Sequence, residues 1–230
     1  MSDAKNRKTQ PFGALVASGK SRLTIVGGPC PHGLTYTLAG TEHRIGRKTG
    51  DVILSEDATV SSKHAKVTQA DGRVTIADEG SANGIFVRIR GPRALQNGEF
   101  LRVGSQLFRF DEIDARESFD DGAGTQFFTS PRRKGTFRLL QILEGGLGGL
   151  SASSSNDEIT IGGEGSTIAF NADANLSARH ARIARGADGK VTVEDLGSTN
   201  GTYVKAAGET ALQHGDYLFI GQSLLRVDLT

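Results

Sequence analysis

A single cysteine, Cys30, stands among the 230 residues, which excludes a disulfide within the chain. Charge of one sign is also missing. The 27 basic residues against 26 acidic ones leave a net charge of +1, with no global field to draw nucleic acid or anionic lipid. No apolar run has the length of a membrane span or the pattern of a secretory signal, so neither a nucleic-acid nor a membrane partner is expected, and a cytoplasmic location is. No Gly-x-Ser-x-Gly elbow accompanies the serines, which counts against a hydrolase. Cys30-Pro31-His32 lacks a second pair of metal ligands, and its counterpart later in the chain is Gly146-Leu147-Gly148; a turn is the better reading, with no metal and no cofactor. His43, His180 and His214 read as packing or loop residues.

What is present is a repeat. Arg22-Leu23, Gly46, Ser61 and His64-Ala65 return at an offset of 116 as Arg138-Leu139, Gly162, Ser177 and His180-Ala181. After one inserted residue near Gly186 the offset is 117, and Asp78, Gly80-Ser81, Asn83-Gly84, Gly98 and Gly104 match Asp195, Gly197-Ser198, Asn200-Gly201, Gly215 and Gly221. The unit is too long for a solenoid repeat and long enough for a domain.

Apolar residues alternate over short stretches bounded by glycine or Asp-Gly: Leu34–Leu38, Val74–Ile76, Ile85–Val87, Leu107–Phe110, and in the second copy Leu139–Leu143, Ile159–Ile161, Val191–Val193, Thr202–Val204, Tyr217–Ile220 and Leu224–Val227. With 31 glycines to turn the corners and no long helical period, the chain reads as all-β, two β-sandwiches in tandem. The expected limits are a flexible N-terminal arm over 1–20, a first sandwich over 21–111, an acidic then basic linker over 112–136, and a second sandwich over 137–230. The linker runs from six acidic residues between Asp111 and Asp121 to Arg132-Arg133-Lys134, the latter read as a solvated face. Leu150–Ser155 matches its counterpart Leu34–Ala39 least well, so a strand there is expected to be short, exposed or absent.

Three motifs fall in turns: Gly46-Arg47, Ser61-Ser62-Lys63-His64 and Asn83-Gly84. A sandwich gathers such turns at one end, where a guanidinium, a hydroxyl and a carboxamide suit a phosphoryl group on an extended peptide. Gly-Arg, Ser-x-x-His and Asn-Gly, in this order and twice over, resemble the forkhead-associated (FHA) domain over Ser21–Phe110 and Phe137–Thr230. The resemblance implies a non-catalytic reader of phosphothreonine. Arg47 and Ser61 would hold phosphate, Asn83 the peptide main chain, and His64, with Gly46 and Gly84, the loop structure. Ser62 and Ala82 depart from residues frequent in that family, while Lys63 and Lys48 can add positive charge.

The second copy keeps Ser177, His180, Thr199 and Asn200 but has Gly163 where the first has Arg47. Loss of one partner of a desolvated charge pair costs about 2 to 5 kcal/mol, so phosphopeptide binding there should be lost or recast. The opposing reading has Arg179 reach into the same pocket. Otherwise this copy binds a partner without phosphate, packs on the first, or self-associates.

Thr9-Gln10-Pro11-Phe12 and Thr125-Gln126-Phe127-Phe128 also obey the 116-residue offset. Each threonine is a candidate phosphosite and tethered ligand, read against a remnant of duplication. The functional expectation is a signalling adaptor that binds a phosphothreonine-containing protein, under a Ser/Thr protein kinase, with self-association or binding of its own phosphorylated tail. The alternatives are a phosphate-independent scaffold or oligomerisation module, and, further off, a hydrolase built on Ser61, His64 and Asp78.

Overall fold

The computed structural model describes residues 20–113, 122–125, 128, 135–154 and 156–230. The first repeat supplies β1 (Arg22–Gly27), β2 (Thr35–Thr37), β3 (Glu42–Gly46), β4 (Val52–Ile53), β5 (Ala65–Ala70), β6 (Arg73–Asp78), β7 (Ile85–Arg88), β8 (Arg93–Ala94), β9 (Phe100–Val103) and β10 (Gln106–Glu112). The second supplies β11 (Phe137–Ile142), β12 (Gly148–Ser153), β13 (Glu158–Gly162), β14 (Ile168–Ala169), β15 (Arg179–Arg185), β16 (Val191–Asp195), β17 (Thr202–Lys205), β18 (Thr210–Leu212), β19 (Tyr217–Ile220) and β20 (Ser223–Asp228). Alternation sets the faces: Leu23 and Ile25 of β1, or Leu225 and Val227 of β20, are fully buried while their neighbours in the chain are not.

The architecture is all-β, with two sandwich cores, but neither core is made from one repeat. The first packs Leu23, Ile45, Val67 and Ile85 against Leu212, Leu218, Leu225 and Val227. The second packs Leu101, Phe108 and Phe110 against Phe137, Ile159, Ile183 and Val204. The limits expected at 21–111 and 137–230 are therefore corrected: β8–β10 leave the first repeat for the second sandwich, and β18–β20 leave the second repeat for the first. Sheet order says the same. A ten-stranded sheet runs β12-β11-β10-β9-β17-β7-β19-β20-β1-β2 through both sandwiches, opposed by β4-β3-β5-β6-β18 on one and β14-β13-β15-β16-β8 on the other.

The exchange is symmetric. At the centre of the long sheet β7 pairs antiparallel with β17, and Val87 lies opposite Val204, its own counterpart in the other repeat. Ile89 N–H donates to Thr202 O and Ala206 N–H to Ile85 O, so the pairing continues past both strand ends into the crossing segments. Arg90 there meets the buried carboxylate of Asp216. Because the exchanged strands are equivalent, each core still receives a full set: Phe108 and Phe110 take in one sandwich the places that Leu225 and Val227 take in the other.

The crossing also changes what residues 112–136 connect. β10 and β11 are antiparallel neighbours, Phe110 opposite Leu139, and Ile113 N–H donates to Thr136 O at 3.0 Å. The expected linker between domains is thus a connection that leaves and re-enters one sandwich. Leu150 falls in a six-residue strand, β12, which is present as an exposed edge of the long sheet.

Candidate phosphopeptide site

Three turns of the first sandwich meet as the motif spacing predicts. Gly46 closes β3 where the Ser62 carbonyl passes so near that a Cβ would collide with it and with Thr49 O, which is why this position carries no side chain. Arg47 N–H then donates to Ser61 O at 3.0 Å, fixing the arginine turn to the serine turn. His64 is fully buried; its Nδ1 accepts from Ser61 N–H at 3.1 Å, so the proton sits on Nε2, which donates to Gly84 O at 3.0 Å. One imidazole therefore braces the serine turn against the asparagine turn. Gly84 has a φ of 73°, a conformation glycine adopts without strain.

The side chains that remain keep hydrogen-bonding capacity beyond the bonds they make within the protein. Ser61 Oγ accepts from Ala82 N–H at 3.1 Å, which leaves its hydroxyl proton to donate. Asn83 Nδ2 donates to Thr59 O at 2.7 Å, leaving its amide oxygen and a second N–H. Arg47 is held only by Nη1 to Ala58 O at 3.4 Å, and its Nε is buried without a partner among the described residues. An unsatisfied buried donor costs about 1 to 3 kcal/mol, a cost that an incoming acceptor removes. Lys48, Ser62 and Lys63 are exposed beside these turns.

Ser61, His64 and Asp78 do not form a nucleophile–base set: His64 bonds the backbone of Ser61, not its hydroxyl, and Asp78 accepts from Gly80 N–H, Ser81 N–H and Ser81 Oγ. Cys30 is buried in the first core, His32 lies on Gly28 O, and His43 and His214 bond loop backbone at Gly40 and Leu229.

The second site repeats the frame. His180 Nδ1 accepts from Ser177 N–H at 3.1 Å and its Nε2 meets Gly201 O at 3.1 Å; Ser177 Oγ accepts from Thr199 N–H at 3.1 Å; Asn200 Nδ2 donates to Asn175 O at 3.0 Å. Gly163 N–H bonds Ala178 O, the equivalent of Ser62, where Arg47 N–H bonds Ser61 O, and no guanidinium follows. Arg179 lines a groove with Glu164, Arg182 and Glu194, in which neither Ser177 nor Asn200 takes part. Thr125 is exposed, while Thr9 lies outside the described residues.

Two aspartates with no assigned role in the sequence hold the site loops across the exchange. Asp57 accepts from Thr59 N–H in its own loop and from Gln222 N–H and Ser223 Oγ of the other repeat, both at 2.8 Å. Its counterpart Asp173 accepts from Ser105 N–H at 2.9 Å and Gln106 Nε2 at 2.9 Å. Burial raises the Asp57 pKa, but the bonds from Thr59, Ser223 and Gln222 outweigh it and hold the carboxyl below its ordinary value. A depressed carboxyl stabilises the fold above its unfolded pKa of about 3.9 and loses that contribution as pH falls through the lower folded value. Asp57→Asn is therefore expected to lower the urea midpoint at pH 7, with a difference from wild type that shrinks below about pH 4; equal midpoints at pH 7 would remove the aspartate from the bracing of the loop. The signal available in the sequence was that Asp57 and Asp173 obey the same offset as the motifs.

The FHA domain family model matches residues 43–104 and 155–221. FHA domain-containing protein FhaB of Mycolicibacterium smegmatis is 39% identical over 80 residues, which cover 34% of this chain and 50% of that protein. The oxoglutarate dehydrogenase inhibitor of Corynebacterium diphtheriae is 32% identical over 98 residues, 41% of this chain and 67% of its own length. The glycogen accumulation regulator GarA of Mycolicibacterium smegmatis is 31% identical over 109 residues, 46% and 66% respectively. The chain thus spans half the length of the FhaB relative. With more than half of its residues inside the two matches and both motif frames assembled, the chain belongs to the FHA domain family.

Proposed function

We propose that the protein is a non-catalytic signalling adaptor whose first site reads phosphothreonine and whose second site serves phosphate-independent interaction. The observation that carries the reading is the state of Arg47. A guanidinium half-withdrawn from water, with one donor unsatisfied and a serine hydroxyl proton free beside it, suits a phosphate as its missing partner. Asn83 then takes the main chain of the ligand, and Lys48, Ser62 and Lys63 border it. The names of the relatives, an inhibitor and a regulator among them, agree with a regulatory role.

A Ser/Thr protein kinase supplies the phosphothreonine, on a partner or on Thr9 or Thr125 of this chain. For Thr125 the register is favourable. β10 runs toward the end of the long sheet at which β7 begins, so the connection bearing Thr125 leaves on the side of Asn83-Gly84. The scaffold alternative, with both sites vestigial, leaves the unsatisfied Arg47 without a purpose.

The difference between the two sites is tested by restoring the arginine. A Cβ at Gly163 meets nothing nearer than 3.4 Å, so a side chain is tolerated there. Gly163→Arg in an Arg47→Ala background is expected to regain phosphate-dependent binding of a phosphothreonine peptide, read by fluorescence polarisation against the unphosphorylated peptide. No regain would show that the second site has lost more than its arginine.

A further inference from the structure

Where Gly163 withdraws a cation from the second site, the strand exchange brings another one near. A groove of about 620 Å³ opens beside Asn175 and Asn200 and continues to the loop after β1; at its floor lies Arg102, from the first repeat. The Arg102 guanidinium stacks on Phe219, 3.7 Å from the ring centre, and Tyr203 packs on the same ring at 4.8 Å. Its one hydrogen bond is to Gly221 O at 3.5 Å, and no carboxylate pairs with it among the described residues. Arg88, also from the first repeat, lies against Gly201 next to Asn200 and likewise has no carboxylate partner there. The equivalents of these arginines at the first site are Phe219 and Lys205; Lys205 lies against Gly84 as Arg88 lies against Gly201, so the difference between the sites rests on Arg47, which the second lacks, and Arg102, which the first lacks.

We infer that this groove binds an extended, unphosphorylated peptide segment, with an aspartate or glutamate on Arg102, its main chain on Asn175 and Asn200, and an apolar side chain against Phe219 and Leu224. This deepens the phosphate-independent reading of the second site and rests on it. The charge count selects the ligand. Burial chiefly lowers the Arg102 pKa, while Tyr203, Asp57 and Asp173 raise it, so the two loop aspartates lie within electrostatic range of the guanidinium. Both are occupied by hydrogen bonds of their own, yet their field opposes a phosphate dianion and leaves a single carboxylate as the better match. A stacked guanidinium with its edge open presents the fork that a carboxylate accepts from in bidentate fashion. Because Arg102 and Asn200 come from different repeats, the groove exists only in the whole chain.

The test is selection of a displayed library of unphosphorylated twelve-residue peptides on the full-length protein, followed by affinity measurement for the recovered peptides. The expected result is enrichment of Asp or Glu, a loss of affinity of about tenfold or more with Arg102→Gln, a smaller loss with Asn200→Ala in an exposed turn, and no change with Arg47→Ala. Absence of acidic enrichment, no recovered peptide, or affinities indifferent to both Arg102→Gln and Asn200→Ala would overturn the proposal. So would dependence on Arg47, which would assign binding to the first site. The same protein assayed with phosphothreonine peptides reports on the first site separately, so failure of one reading is not mistaken for failure of the other.

Discussion

Arg47→Ala is expected to weaken binding of a phosphothreonine peptide by about 30-fold to several thousandfold, with the fold intact. The range follows from about 2 to 5 kcal/mol for removing one partner of a desolvated charge pair, at 1.4 kcal/mol per tenfold. The free protein has little to lose by the change. Arg47 makes one long bond to Ala58 O and leaves Nε unsatisfied, so alanine removes no ion pair and relieves a buried donor. Thermal stability should therefore hold or rise slightly while affinity collapses, a combination that a structural arginine would not give. Calorimetric titration and a melting curve on the same sample measure both. Unchanged affinity would place phosphate recognition elsewhere or nowhere.

Phe108→Ala is expected to destabilise the sandwich that carries the second site, not the one that carries Arg47. Phe108 is fully buried, its ring 6.2 Å from that of Phe170, and truncation of a core phenylalanine costs about 3 to 5 kcal/mol. Hydrogen exchange should accelerate in β13 and β15, with β3 and β5 less affected; Leu225→Ala, removing the equivalent residue of the other core, should do the reverse. Acceleration of β3 and β5 in Phe108→Ala would mean that each repeat closes on itself in solution.

The two motif frames were legible because turn chemistry is local: Gly46, Ser61, His64 and Asn83 lie on turns whose spacing survives duplication, and the structure assembles them through one histidine. The exchange of strands was not legible, for a physical reason. Leu225 and Phe108 are equivalent, as are Val227 and Phe110, so a core filled by its own repeat and one filled by the other carry the same pattern of buried positions. Only the course of residues 89–92 and 206–209 distinguishes them, and these four-residue connections, Ile-Arg-Gly-Pro and Ala-Ala-Gly-Glu, carry no signal of direction. Arg102 was silent for a related reason: it reads as an outward residue of an alternating strand, and its contact with Phe219, two strands beyond its neighbour β17, depends on how the long sheet coils. The weak match at Leu150 marked no missing strand: β12 has six residues against three in its counterpart β2, and both are exposed edges of the long sheet.

An oriented peptide library with one fixed phosphothreonine tests phosphate recognition by the first site without presuming a partner. Passed over the full-length chain beside the same library with threonine fixed, it should be retained only in the phosphorylated form, and released when Arg47 is replaced by alanine. Equal retention of both libraries, or of neither, would contradict the account.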